Sequence, residues 1–172
     1  MKKKKIGLAL SGGGARGLAH IGVLKVLEEA EIKVSFISGS SMGGFIGALY
    51  AAGLSPEELA SIAINKSKLS ELIRLADITD IRRGLFEGNR IRTLLSEWLQ
   101  NIHTFDDLKI PLTLSAVDVD SSREIALRSG ELLPAIMATS AFPGIFPAIN
   151  HNGYRLIDGG VLNNLPIDRV RE

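Results

Sequence analysis

The sequence predicts an α/β fold, a mainly parallel central sheet flanked by helices, and three stretches carry that expectation. The first is Ile6 to Ala30. A short apolar strand, Ile6 to Leu10, enters Ser11-Gly12-Gly13-Gly14-Ala15-Arg16-Gly17, after which Leu18, Ile21, Val23, Leu24, Val26 and Leu27 make a strongly apolar helix. The second is Val34 to Gly53, where a β-branched and apolar run passes through Gly39-Ser40-Ser41-Met42-Gly43 into Phe45, Ile46, Leu49 and Tyr50 at helical spacing. Strand, glycine loop, helix and strand make a βαβ unit, whose crossover leaves its two strands parallel. The third lies beyond Pro111, where strand patterns return between short turns.

Size and composition narrow the field. At 172 residues, 45% of them hydrophobic, the chain builds one core and is short for two, so a single domain over residues 1 to 172 is expected. There is no cysteine, which excludes disulfides, thiolate metal sites and a cysteine nucleophile. The formal net charge of +1 supplies no long-range field for nucleic acid, and no basic face is interleaved with aromatics. Behind Lys2-Lys3-Lys4-Lys5 the apolar run ends at Leu10, too short for a secretory leader, and no run reaches membrane-spanning length. A cytoplasmic protein is the expectation. The four lysines add about 1 kcal/mol each on an anionic membrane, which makes transient contact with the inner face of a membrane a candidate, although a solvated tail is the commoner meaning of such a run.

The remaining elements follow in order. Gly53 stands as the glycine just past a helix, and Ser55-Pro56-Glu57-Glu58 is a capping box that starts another helix to about Asn65. Lys66 to Asp80 is amphipathic, Gly84 and Gly88 break the chain, and Asn89 caps a helix through Trp98 and Leu99. Leu112 to Val119 and Arg123 to Leu127 form a hairpin about Asp120, Ser121 and Ser122. Glu131 to Thr139 is a short helix, and Ser140 to Pro147, with two prolines and a glycine, is a fixed apolar loop. His151-Asn152-Gly153 is a hairpin turn into a strand from Tyr154 to Ile157 that stops at Asp158-Gly159-Gly160.

Acyl transfer to a serine needs a nucleophile, a base and donors for an oxyanion. G-x-S-x-G between strand and helix is the nucleophile elbow: Gly39 and Gly43 leave no Cβ where the elements meet, and Ser41 is held exposed at a helix start. The Gly12 to Gly17 loop frees backbone N–H groups at a second helix start and suits an oxyanion. The same glycines, Gly12-x-Gly14-x-x-Gly17, also fit a dinucleotide fingerprint, with Glu31 or Lys33 left to meet a ribose; that fingerprint wants an acid at the end of the second strand, which instead ends in Gly39-Ser40-Ser41. For the base, a hydrolase triad wants a histidine after the acid, and none of His20, His103 and His151 follows Asp158. Asp158, at a strand end and backed by Gly159 and Gly160, is the candidate that reaches Ser41 directly. No cluster at metal spacing accompanies these residues, so neither a metal nor a cofactor is expected.

Taken in order, Gly12-Gly13-Gly14-Ala15-Arg16-Gly17, Gly39-Ser40-Ser41-Met42-Gly43 and Asp158-Gly159-Gly160 resemble the patatin-like phospholipases. The resemblance extends through Phe105 to Pro111, Ser140 to Pro147 and Asn163-Asn164-Leu165-Pro166. It implies a three-layer architecture and a lipid acyl hydrolase with a Ser41–Asp158 dyad. It also implies an oxyanion hole at Gly12, Gly13, Gly14 and Gly17 that Arg16 orients. Such domains continue into a further strand and helices, so the resemblance implies a domain incomplete at Glu172. Met42, Phe45, Phe142, Ile145 and Phe146 are candidates to line an acyl site. A lipid-binding module without turnover, and a nucleotide-binding domain, are the rival readings.

Overall fold

The computed structural model describes residues 5–64 and 91–171. Strand β1 (Ile6–Leu10) leads through a 3-10 turn (Gly14–Leu18) into helix α1 (Ala19–Glu29), then β2 (Val34–Gly39), α2 (Ser41–Ala52) and α3 (Pro56–Ile64). Helical residues 91–99, here α4, precede β3 (Leu112–Asp118), β4 (Arg123–Leu127) and α5 (Leu132–Thr139). The chain then forms β5 (Ile149–His151), β6 (Tyr154–Asp158) and a five-residue helix, α6 (Ile167–Arg171). The expected helix from Lys66 to Asp80, the breaks at Gly84 and Gly88 and the cap at Asn89 lie outside the described residues.

The local signals act as their chemistry requires. At the start of α3 the capping box is reciprocal: Glu58 N–H donates to Ser55 Oγ at 3.2 Å, and Ser55 N–H donates to Glu58 Oε2 at 2.8 Å. Gly53 closes α2 in the left-handed region, φ +109°, with its N–H on Tyr50 O. The β5–β6 hairpin turns on Asn152 and Gly153, both at positive φ as a type I′ turn demands. One boundary differs from expectation: the helix that periodicity starts near Ala15 is a 3-10 turn up to Leu18 and an α-helix only from Ala19.

Among the described residues the sheet has six strands, and β1, β2 and β3 run parallel. Strands β4 and β6 are antiparallel to β3, and β5 is antiparallel to β6, so four of the six strands share one direction. Residues Ala116, Val117 and Asp118 pair with both β4 and β6, which therefore occupy opposite edges of β3. Leu114 likewise pairs with both β2 and β4. Strands β2 and β6 therefore meet the same edge of β3 in succession, from opposite directions and C-terminal end first. Gly39 pairs with Leu114 and Asp158 pairs with Ala116, so only Ser115 separates the two strand ends.

The layers follow from strand alternation. Ile37 of β2 and Leu10 of β1 face α2, whose Gly47 comes so close that a Cβ there would lie 3.1 Å from each side chain. Ser38, the next residue, points the other way and donates from Oγ to Pro166 O at 2.7 Å, just ahead of α6. Helix α2 is apolar on every side and its residues from Gly43 to Ala52 are all buried, the pattern of a core helix rather than a surface one. All seven residues of β3 are buried, as a central strand covered on both faces requires.

Candidate active site

Ser41 is the first residue of α2 and sits at φ +52°, in the left-handed region that an L-residue enters at a cost of about 1–2 kcal/mol. The elbow forces it there. A Cβ on Gly39 would stand 2.6 Å from Gly44 Cα, and one on Gly43 would strike the Leu10 carbonyl, so neither flank admits a side chain. Ser40 N–H donates to Leu10 O at 3.2 Å and fixes the strand end beneath the turn.

Asp158 ends β6 and is 1% exposed. Its Oδ1 accepts from Gly160 N–H at 2.7 Å, which Gly159 allows by lying flat against the Ser115 carbonyl, where a Cβ would clash. Its Oδ2 is buried without a hydrogen-bond partner. The Ser41 hydroxyl lies near enough to favour the charged carboxylate, yet no formed bond joins the two. Burial pushes the Asp158 carboxyl above its ordinary range, against the Ser41 hydroxyl and the Gly160 N–H. Among the described residues no cation is bonded to it. Buried acids with an unsatisfied oxygen beside a strained residue concentrate at functional sites.

The glycine loop lies against the serine. A Cβ on Gly12 would approach Ser41 Cβ to 2.9 Å, and Gly17 packs on Met42 in the same way. One sequence expectation needs correction here: Gly12 N–H donates to Asn164 O at 3.0 Å, so it is engaged within the protein and is not a free oxyanion donor. Asn164 also donates from Nδ2 to Gly12 O at 3.4 Å, clamping that residue from both sides. Among the described residues no backbone bond is formed by the N–H groups of Gly13 and Gly14, and Gly14 takes φ +52° with open space where a Cβ would stand. Arg16 holds the loop through its backbone, its N–H closing the 3-10 turn on Gly13 O, while its side chain is exposed and bonds nothing among the described residues.

Among the described residues none of the three histidines is hydrogen-bonded to Ser41. His20 bonds the Ser11 carbonyl through Nε2 at 2.9 Å, tying the start of the glycine loop to α1. His103 is exposed, and His151 is buried at the end of β5 with Nε2 3.2 Å from Asn152 Nδ2. Glu31 and Lys33 precede β2, at the opposite end of the strand from the glycine loop, where neither meets a ligand bound to that loop. Among the described residues no group of three potential metal ligands is found, and no helix is long and apolar enough to cross a membrane.

A pocket of about 250 Å³ opens over Ser41 and Asp158. Gly14 forms one wall, Met42 and Phe45 come from α2, and Phe142, Ile145 and Phe146 come from the loop after α5. Ile91 of α4 completes the apolar lining. The sequence did not single out Ile91, because its place depends on how α4 packs.

This layout of glycine loop, elbow and Asp-Gly-Gly strand end is matched in sequence. Residues 8–171 fit the patatin-like phospholipase family. The chain belongs to that family. The patatin-like domain is 36% identical over 170 residues to patatin-like phospholipase domain-containing protein 6 of Homo sapiens, covering 96% of this chain and 12% of that protein. Lysophospholipase NTE1 of Cryptococcus neoformans is 34% identical over 171 residues, covering 98% of the chain and 10% of that protein. An uncharacterised NTE family protein of Mycobacterium bovis is 34% identical over 163 residues, covering 95% and 44%. The chain thus spans about a tenth of the length of the first two. In fold, the patatin-like domain superposes on VipD of Legionella pneumophila with a TM-score of 0.63 at 16% identity, covering 94% of this chain and 47% of VipD. ExoU of Pseudomonas aeruginosa, in its complex with SpcU, gives 0.62 at 20% identity, covering 83% and 39%.

Proposed function

We propose that this domain is a serine lipid acyl hydrolase in which Ser41 is the nucleophile, Asp158 its only base, and the N–H groups of Gly13 and Gly14 receive the oxyanion. The observation that carries the reading is a buried Asp158 carboxyl, its Oδ2 unpartnered, beside a serine held in the left-handed region at the floor of an apolar pocket. The family relationship, and the name lysophospholipase borne by one relative, favour a lipid ester as substrate.

The chemistry balances with these groups alone. Asp158 takes the hydroxyl proton as Ser41 Oγ bonds the acyl carbonyl carbon, and the carbonyl oxygen gains the negative charge. Collapse breaks the ester bond, and the departing alcohol takes the proton from Asp158. Water then attacks the acyl-serine, gives its proton to Asp158, and the fatty acid leaves as Ser41 recovers it. An oxyanion donor of this kind is worth about 2.7–4 kcal/mol, and the N-terminus of α2 adds its dipole at the same point.

The sheet supports a dyad over a triad. The ends of β2 and β6 face each other across one residue of β3, so the paired positions Leu114 and Ala116 are about 7 Å apart along the strand at 3.4 Å per residue. So short a gap favours direct contact between Asp158 and Ser41, two residues beyond Gly39, over a relay through a third side chain. A lipid must enter from an interface, and Phe142, 51% exposed at the rim of the pocket, is the group that would touch it first.

The test joins a fluorophosphonate probe to a panel of short-chain esters and lysophospholipids. Ser41→Ala and Asp158→Asn are each expected to lower turnover by several orders of magnitude, and the double variant to match either single one, as residues acting in one unit do. Labelling should fall on Ser41 and survive alanine at His20, His103 or His151. Lipid binding without turnover in the parent would replace catalysis by a binding function. Loss of labelling in a histidine variant, with Asp158→Asn still labelled, would install a Ser–His pair.

A further inference from the structure

We infer that residues 139–141, at the end of α5, form a bracket that sets Ser41 against Asp158, and that the Thr139 hydroxyl is its principal positioning group. The inference rests on the reading of Ser41 as nucleophile and adds a residue to it. Thr139 is fully buried. Its hydroxyl donates to Ser115 O at 2.5 Å and accepts from Ser41 N–H at 3.1 Å, although Ser41 and Thr139 are 98 residues apart. With its proton committed to Ser115, the hydroxyl presents a lone pair to Ser41. The next residue, Ser140, takes the other backbone group of the same residue, its Oγ donating to Ser41 O at 3.5 Å. Ala141 O then accepts from Asp158 N–H at 3.0 Å. Three consecutive residues thus hold the nucleophile by its N–H and C=O and the aspartate by its N–H.

The physical need for such a bracket is plain. A serine at φ +52° relaxes unless its surroundings over-determine it, and misplacement of a reacting atom by about 1 Å can lower the rate about a hundredfold. The bracket also refers both residues to β3, because Ser115 receives the Thr139 hydroxyl at the one position between the two strand ends. Thr139 does a second, separable job: its Cγ2 methyl lies 2.9 Å from where a Cβ on Gly44 would stand, so it fills space against α2. Valine keeps that methyl and removes the hydroxyl, whereas serine keeps the hydroxyl and removes the methyl.

The experiment compares Thr139→Val with Thr139→Ser, reading kcat and KM on a soluble ester, fluorophosphonate labelling of Ser41, and Tm. In Thr139→Val, kcat and labelling rate should fall together by about tenfold to a hundredfold, with KM within about threefold because the pocket walls are unchanged. Thr139→Ser should recover kcat and labelling to within about threefold of the parent even where its Tm is the lower of the two. If Thr139→Val does not fold, Thr139→Cys, with its weak S–H donor and acceptor, should label at a rate between the parent and an unlabelled Ser41→Ala control. Parent-like labelling in a folded Val or Cys variant overturns the inference, as does a Ser variant that loses as much as the Val variant. A parent that is never labelled at Ser41 instead sinks the nucleophile assignment beneath it.

Discussion

The elbow around Ser41 and the loop from Gly12 to Gly17 both sit at the start of a helix, both are built from glycine, and they are held by opposite means. At the elbow, Gly39 and Gly43 have backbone where a side chain would go, and Ser41 is gripped at its N–H and its carbonyl. In the loop, Gly14 faces open space and Gly13 is exposed; only its ends, Gly12 against Ser41 and Gly17 against Met42, are closely packed, and tethers from His20 to Ser11 and from Asn164 to Gly12 hold its start. The proposed nucleophile is placed by close packing, and the candidate donors are placed by their neighbours' tethers and left unbonded. The two regions should therefore fail differently when altered.

The largest effect should come from adding one methyl to the elbow. In Gly43→Ala the new carbon meets the Leu10 and Ser11 carbonyls, which cannot move without parting β1 from α2. Overpacking of this kind costs about 1–3 kcal/mol, and we expect ester hydrolysis to drop at least about a hundredfold. Thermal unfolding together with turnover would check it; near-parent values in both would show that the elbow has slack.

Acid should silence the site next. Burial raises the Asp158 pKa, so the folded state binds its proton more readily than the unfolded chain does. Activity needs the carboxylate, and the acidic limb of kcat/KM should therefore lie above the ordinary aspartate value of about 3.9. The sign for stability is the reverse of the usual carboxylate: this group favours folding below its unfolded pKa and loses that contribution as pH rises through the raised one. Glu124 runs the other way. Burial opposes its charge, but Arg169, Ser115 and Asn163 more than offset this and hold its carboxyl below the ordinary range, so its contribution is lost as pH falls. A rate profile measured beside a stability profile separates the two groups; a limb at or below the ordinary value would mean that Asp158 is better solvated than its burial implies.

A smaller effect is expected in the loop. Gly14→Ala meets no atom, and its only penalty is the left-handed backbone, about 1 kcal/mol for a single residue. The fold should survive with Tm lowered by roughly 2–4 °C, while turnover falls about tenfold as the loop relaxes. If Gly14→Ala proves as harmful as Gly43→Ala, the loop is packed as tightly as the elbow.

The smallest effect tests the tether. His20→Ala releases Ser11 O without touching Ser41 or Asp158, and turnover should fall less than about tenfold, the scale of one hydrogen bond. Labelling of Ser41 should persist, and its complete loss would move His20 into the catalytic group.

Much of this was legible in the residues. The strand, turn and helix around Ser41, the capping box at Ser55 and the turn at Asn152-Gly153 follow from neighbours a few positions apart, and short-range patterns report such things. The pairing of β6 to the same edge of β3 as β2 was not legible, because no local pattern says which distant strand a strand will join. For the same reason Thr139 passed as the last residue of a short helix, and Asn164 as part of a resemblance. Gly12 carries the opposite lesson. Its glycine was read as freeing a donor, whereas it serves to let Asn164 and Ser41 come close.

The head-on meeting of β2 and β6 also orders events in time. The chain is made from its N-terminus, and segments that pair locally form before those that must close long loops. The elbow and the β3–β4 hairpin can both be assembled while β6, the last of the six described strands, is still unpaired, whereas the glycine loop waits for Asn164, which follows β6. Until β6 docks, Ser41 stands without the buried Asp158 carboxylate beside it, the group to which the proposed mechanism gives its proton.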